Sequence, residues 1–181
     1  MADHRADELS VWLDRIGKEH PRDVLGGLGR VAGVAARMKV LPPAPKNVVV
    51  AGTNGKGSTC VLLETLAWAS GYRVGTTLSP HVHDFNERIR VNGCPVGDVE
   101  IVTGFESVDR SRGDTPLNYF EYVILAALDI FKRSEVDIAV LEVGLGGRLD
   151  AVNIVDGDVA VITSIGLDHQ AFLGHDIEGI G

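Results

Sequence analysis

Val48-Val49-Val50-Ala51-Gly52-Thr53-Asn54-Gly55-Lys56-Gly57-Ser58-Thr59 sets a continuous apolar run directly ahead of a glycine-rich turn, a lysine and two hydroxyl residues. A run that is apolar at every position suits a strand buried on both faces, as parallel sheets require. Glycine lets the backbone curl so that successive N–H groups converge on an anion. A helix starting just beyond adds unpaired donors and the positive end of its dipole. Residues 52–59 are thus a candidate phosphate cradle, with Lys56 as a mobile cation and Ser58 or Thr59 as hydroxyl donors. The generic P-loop spacing is not met in full, because it would place glycine at Val50 and a hydroxyl residue at Gly57.

Outward from this point the chain reads as alternating helices and strands. Leu9, Trp12, Leu13 and Ile16, then Leu25, Leu28, Val31, Val34 and Ala35, recur at helical spacing and predict helices over 5–17 and 22–39. Leu41-Pro42-Pro43-Ala44-Pro45 stops any helix and reads as a stiff connector. Downstream, helices are expected over 58–70, 97–111 and 119–134, and strands over 73–78, 88–91, 138–141 and 159–162. Asn92-Gly93 signals a hairpin turn. The expected fold is α/β, a mostly parallel sheet flanked by helices. Residues 1–45 would form a helical segment with its connector, and 46–181 a nucleotide-binding domain.

Composition narrows the functional classes. The 181 residues carry a formal net charge of −8, which argues against a nucleic-acid surface. The N-terminus has no apolar signal segment, and the longest apolar stretch, 123–131, is too short to span a bilayer and contains Asp129. Cys60 and Cys94 form no metal-type spacing and read as reduced thiols. A soluble, cytoplasmic, monomeric protein handling small molecules is expected.

In an open parallel sheet, ligands gather beyond the carboxyl ends of the strands. Ser79-Pro80-His81 follows one predicted strand, Glu142 and a glycine-rich run follow another, and 163–169, ending in Asp168-His169, follow a third. Ser79, Glu142 and His169 are therefore candidate ligands for a divalent cation shared with a nucleotide phosphate. His81 and His83 lack the further Cys or His that a zinc site needs.

These segments, in this order, resemble the dihydrofolate synthase/folylpolyglutamate synthase family of the Mur ligase superfamily. The resemblance rests on residues 52–58, Ser79-Pro80-His81 with Asn86-Glu87-Arg88-Ile89-Arg90, residues 141–151 with Asn153, and Leu167-Asp168-His169 with Leu173-Gly174. It implies a P-loop-type central domain and an ATP- and Mg²⁺-dependent ligase. That enzyme joins L-glutamate to dihydropteroate or a folate through an acyl phosphate. It also implies that Lys56 and 52–59 bind nucleotide, that Lys56, Glu142 and His169 serve catalysis, and that Ser79, Glu142 and His169 bind Mg²⁺. Asn118, Phe120, Asp150 and Ala151 would line a pterin pocket, Asn118 standing where the family often has Thr. Family members continue into a carbamylated lysine and a C-terminal domain, which the sequence to Gly181 does not reach. The chain is expected to be an N-terminal portion, not active in acyl transfer alone. Two other readings are another Mur-type amino-acid ligase and a nucleotide- or pterin-binding module without catalysis.

Overall fold

The computed structural model describes residues 4–19, 27–167 and 176–177. The elements run α1 (His4–Glu19), α2 (Gly29–Met38), β1 (Lys46–Ala51), α3 (Lys56–Ala69), β2 (Val74–Thr77), β3 (Ile89–Val91), β4 (Cys94–Pro95), α4 (Asp98–Arg112), α5 (Tyr119–Arg133), β5 (Ile138–Glu142) and β6 (Val159–Ile162). Short 3-10 turns cover Phe85–Arg88 and Ala151–Ile154. The apolar runs become strands and the periodic stretches helices, with ends moved by at most two residues except at the start of α2, expected at 22 and found at Gly29. Of the helix expected over 22–39, residues 22–26 lie outside the described residues.

One sheet of six strands has the order β4-β3-β2-β5-β1-β6. β1 lies parallel between β5 and β6, and β5 lies parallel to β2. β3 and β4 are the antiparallel edge. β4 was not expected; at two residues it carries no propensity signal, and its pairing follows from the hairpin. That turn is Asn92-Gly93, both at positive φ (53° and 79°), with the Asn92 side chain accepting from Val74 N.

The sheet faces are covered unequally. Ile89, Ala139, Leu141, Val49 and Val143 share a large core with α1, α2, α4 and α5. Val50, Val74 and Val140 pack with Cys60 and Leu63 of α3 on the other side. Gly75 has to be glycine for packing reasons, because a Cβ there would stand 2.5 Å from the buried Phe131 ring. From β1 the chain crosses over β5 to reach β2, and β6 returns to the far side of β1. A reversal of this kind is the place where an open α/β sheet binds ligands, outside the carboxyl ends of its strands. No described helix is long and apolar enough to cross a membrane.

Candidate functional site

β1 ends at Ala51, and the turn that follows is held from across the sheet. Thr53 N donates to Ser164 O (2.6 Å), and Gly166 N donates to Thr53 Oγ1 (2.9 Å). Thr163 Oγ1 donates to Asn54 O (2.7 Å). Residues 163–166 thus form a clamp on the glycine-rich turn. The turn lies so close to this clamp that a Cβ on Gly52 would sit 2.1 Å from Thr163 Oγ1 and 2.9 Å from Ser164 O. Gly52 and Gly55 take φ values of 134° and 86°, in the half of conformational space that glycine alone enters freely. α3 then starts at Lys56, with Thr59 N closing the first turn on Gly55 O (3.0 Å). The N–H groups of Lys56, Gly57 and Ser58 precede that bond and are the unpaired donors of a helix start. Lys56 Nζ folds back to Gly52 O (2.7 Å) and Thr53 O (3.3 Å), which parks its charge on the turn.

Glu142 closes β5 and is almost wholly buried (4% exposed). Its Oε2 accepts from Ser79 N at 2.7 Å. A Cβ on Gly57 would stand 3.6 Å from Oε1, in ordinary van der Waals contact, so the helix start lies directly against the carboxylate. Burial pushes the Glu142 carboxyl up, while the Ser79 N–H and the charges of Lys56 and Arg88 draw it back. A carboxylate so placed gains from a cation. Among the described residues no group of three His, Cys, Asp or Glu side chains could hold a metal. A glutamate carboxylate and a serine hydroxyl are hard oxygen donors, of the kind that suits a cation completing its shell with phosphate oxygens and waters. His169 lies outside the described residues.

The expected pterin residues divide into two groups. Asn118 caps α5: its side chain accepts from Glu121 N (2.7 Å), and Glu121 Oε2 accepts from Asn118 N (2.8 Å). Arg30 of α2 locks Glu121 with Nη2 to Oε1 at 2.9 Å. Asn118, Tyr119 and Phe120 line a cavity of about 430 Å³ together with Leu13 and Gly17 of α1. Phe120 packs so closely on Gly144 that a Cβ at 144 would lie 2.6 Å from its ring. Asp150 and Ala151 do not line that cavity. Asp150 is buried and accepts from Gly144 N, Leu145 N and Val152 N, each at 3.0 Å, so it shapes the turn against which Phe120 rests.

Burial pushes the Asp150 carboxyl up to about 6 from 3.8, against the pull of those N–H groups. Its folded pKa lies above its unfolded one, so the fold favours the protonated form. That stabilisation is full below the unfolded pKa and is lost as pH rises through about 6. Chemical denaturation from pH 4 to 7.5 should show wild type losing ~3 kcal/mol relative to Asp150→Asn across this window. A constant difference would contradict the assignment.

Residues 50–181 match the Mur ligase middle domain. The chain belongs to the Mur ligase family. Within that family it is 51% identical over 176 residues to the dihydrofolate synthase/folylpolyglutamate synthase of Escherichia coli, covering 97% of this chain and 42% of that protein. Among solved structures, E. coli FolC in complex with DHPP and ADP superposes with a TM-score of 0.93 at 50% identity, over 95% of this chain and 42% of that one. The bifunctional folylpolyglutamate synthase/dihydrofolate synthase of Yersinia pestis, complexed with AMPPNP and Mn ion, gives a TM-score of 0.92 at 47% identity, over 99% and 44%. The chain therefore spans about two fifths of the length of the curated relatives it matches.

For this Mur ligase chain the structure joins residues 52–59, Ser79 and Glu142 at one edge, as the sequence implied. The clamp at 163–166 went unread, since it consists of hydrogen bonds between residues some 110 apart. The Asn118-x-x-Glu121 spacing is a capping-box signal that could have been recognised.

Proposed function

We propose that this chain is the nucleotide-binding part of an ATP-dependent ligase that adds L-glutamate to dihydropteroate or a folate. The observation that carries the reading is the meeting of the clamped glycine turn, the start of α3 and the buried Glu142, bonded to the half-buried Ser79, at the carboxyl edge of the sheet. On this reading residues 46–181 are the ATP-binding unit, with 1–45 packed against it as a helical preface. The rest of the family's length completes the enzyme, which is cytoplasmic and acts on small molecules.

The N–H groups at the start of α3 and Lys56 hold the nucleotide phosphates, with residues 52–59 shaped around them. Ser79, Glu142 and His169 hold Mg²⁺, which supplies charge neutralisation of the phosphate oxygens. Phe120 offers a flat face to the pterin, Asn118 borders it, and Asp150 and Ala151 set the turn behind it. In the reaction an acceptor carboxylate oxygen bonds to the γ-phosphorus as the bond to ADP breaks. The glutamate amine then attacks the acyl carbon, phosphate leaves, and the amine gives up a proton. What these residues contribute is placement and charge compensation, the main requirements of phosphoryl transfer.

The test is calorimetric titration of the chain with ADP, with and without Mg²⁺. Wild type should bind more tightly with the cation, and Glu142→Gln should lose that increment, by about tenfold or more. A cation effect that survives in Glu142→Gln would rule Glu142 out as a ligand.

A further inference from the structure

Arg88 stands between the two halves of this site and is used by neither. It ends the 3-10 turn Phe85–Arg88, and its backbone O accepts from Leu78 N (3.0 Å), one residue before Ser79. Its Nε donates to His81 Nδ1 at 2.7 Å. The guanidinium carbon lies 5.9 Å from the ring centres of both Phe85 and Tyr119, inside cation–π range. Tyr119 lines the cavity at the start of α5, while the charge of Arg88 is felt at Glu142 on the phosphate side. Among the described residues, neither terminal nitrogen of the guanidinium donates a hydrogen bond to a protein group.

The segment around Arg88 is built to keep it in place. Glu87 accepts from Val82 N (2.7 Å), His83 N (2.9 Å) and Asp84 N (3.0 Å), fixing the 82–87 loop. His81, held edge-on to Phe85 at 6.0 Å, must be unprotonated at Nδ1 to accept from Arg88. The guanidinium is thus orientated through Nε, flanked by rings and left with two donors side by side. That geometry matches the two oxygens of a carboxylate.

We propose that the free edge of the Arg88 guanidinium binds the carboxylate of the acceptor substrate, holding it between the cavity at the start of α5 and the phosphate loop. The inference rests on the ligase reading above and names the contact that reading lacks. A pterin seated on Phe120 has to extend its carboxylate towards the nucleotide, and Arg88 is the cation on that path. His81 is a positioning residue that acts through Arg88.

The test compares two ligands, dihydropteroate and its neutral carboxamide, by equilibrium binding to wild type, Arg88→Gln and Arg88→Lys. Arg88→Gln should weaken dihydropteroate by ~10–100-fold and the carboxamide by less than about threefold, with Arg88→Lys between. Wild-type binding of dihydropteroate should also fall with added salt more steeply than that of the carboxamide. Equal losses for both ligands would make Arg88 only a latch for the loop, and no loss for dihydropteroate would remove it from the site. Both results overturn the proposal. If Arg88→Gln does not fold, the ratio of the two affinities in Arg88→Lys decides in the same way. Wild type that binds ADP but neither pteridine defeats the pterin assignment, and the anchor with it.

Discussion

Glu64→Ala should lower the unfolding free energy by ~3 kcal/mol, because it leaves a largely buried cation without its partner. Glu64 sits on the sheet-facing side of α3 with its side chain 2% exposed. Arg90 Nε of β3 donates to both carboxylate oxygens, at 3.3 and 3.0 Å, and Gly93 N donates to Oε1 at 3.2 Å. Arg90 Nη2 also donates to Gly93 O, so one carboxylate ties the helix to the hairpin turn. Truncation removes three acceptor contacts at once and strands an arginine whose side chain is only 21% exposed. Glu64→Gln retains one acceptor oxygen and should cost less, about 1–2 kcal/mol. Urea denaturation of both variants checks this. Equal stability of Glu64→Ala and wild type would mean that the pair contributes nothing net.

The second large effect belongs to Gly52→Ala, which should lose ~3 kcal/mol of stability and weaken nucleotide binding. Two costs coincide there. The φ of 134° strains any L side chain, and the new methyl meets Thr163 Oγ1 at 2.1 Å and Ser164 O at 2.9 Å. Gly55→Ala separates them: its φ is 86°, but the nearest atom to an added Cβ is 3.9 Å away. It should therefore cost only the strain, ~1 kcal/mol. Removing Thr163 Oγ1 as well would not rescue Gly52→Ala, since the Ser164 carbonyl is backbone. Thermal denaturation midpoints rank the variants, and a Gly52→Ala as stable as Gly55→Ala would count against the close approach.

These two residues also mark what could be read from sequence. β1 and β5 were legible because a strand buried on both faces must be apolar throughout, and Val48-Val49-Val50-Ala51 is; β6 carries the same apolar pattern although it is largely exposed. The cradle was legible because its chemistry is local: turn, lysine and helix start are consecutive. Ser79 and Glu142 followed from the rule about strand ends, and the structure sets Ser79 N against the Glu142 carboxylate. Glu64 was not legible. A lone glutamate within an apolar helix shows its meaning only when Arg90, 26 residues on, folds against it. The clamp from 163–166 escaped for the same reason at longer range. Asn118, read as a substrate contact, borders the cavity and also caps α5 through its side-chain oxygen, a structural role the sequence reading did not assign. Asp150, read as lining the pocket, turns both oxygens to backbone N–H groups.

The central claim is that residues 52–59, with Lys56, hold the phosphates of ATP. The direct measurement is calorimetric titration of wild type and Lys56→Ala with ADP·Mg²⁺, alongside their thermal midpoints. Among the described residues Lys56 hydrogen-bonds only to turn carbonyls, so its loss should leave the midpoint nearly unchanged while affinity falls by ~10-fold or more. Equal affinity of Lys56→Ala and wild type for ADP·Mg²⁺ would contradict the account.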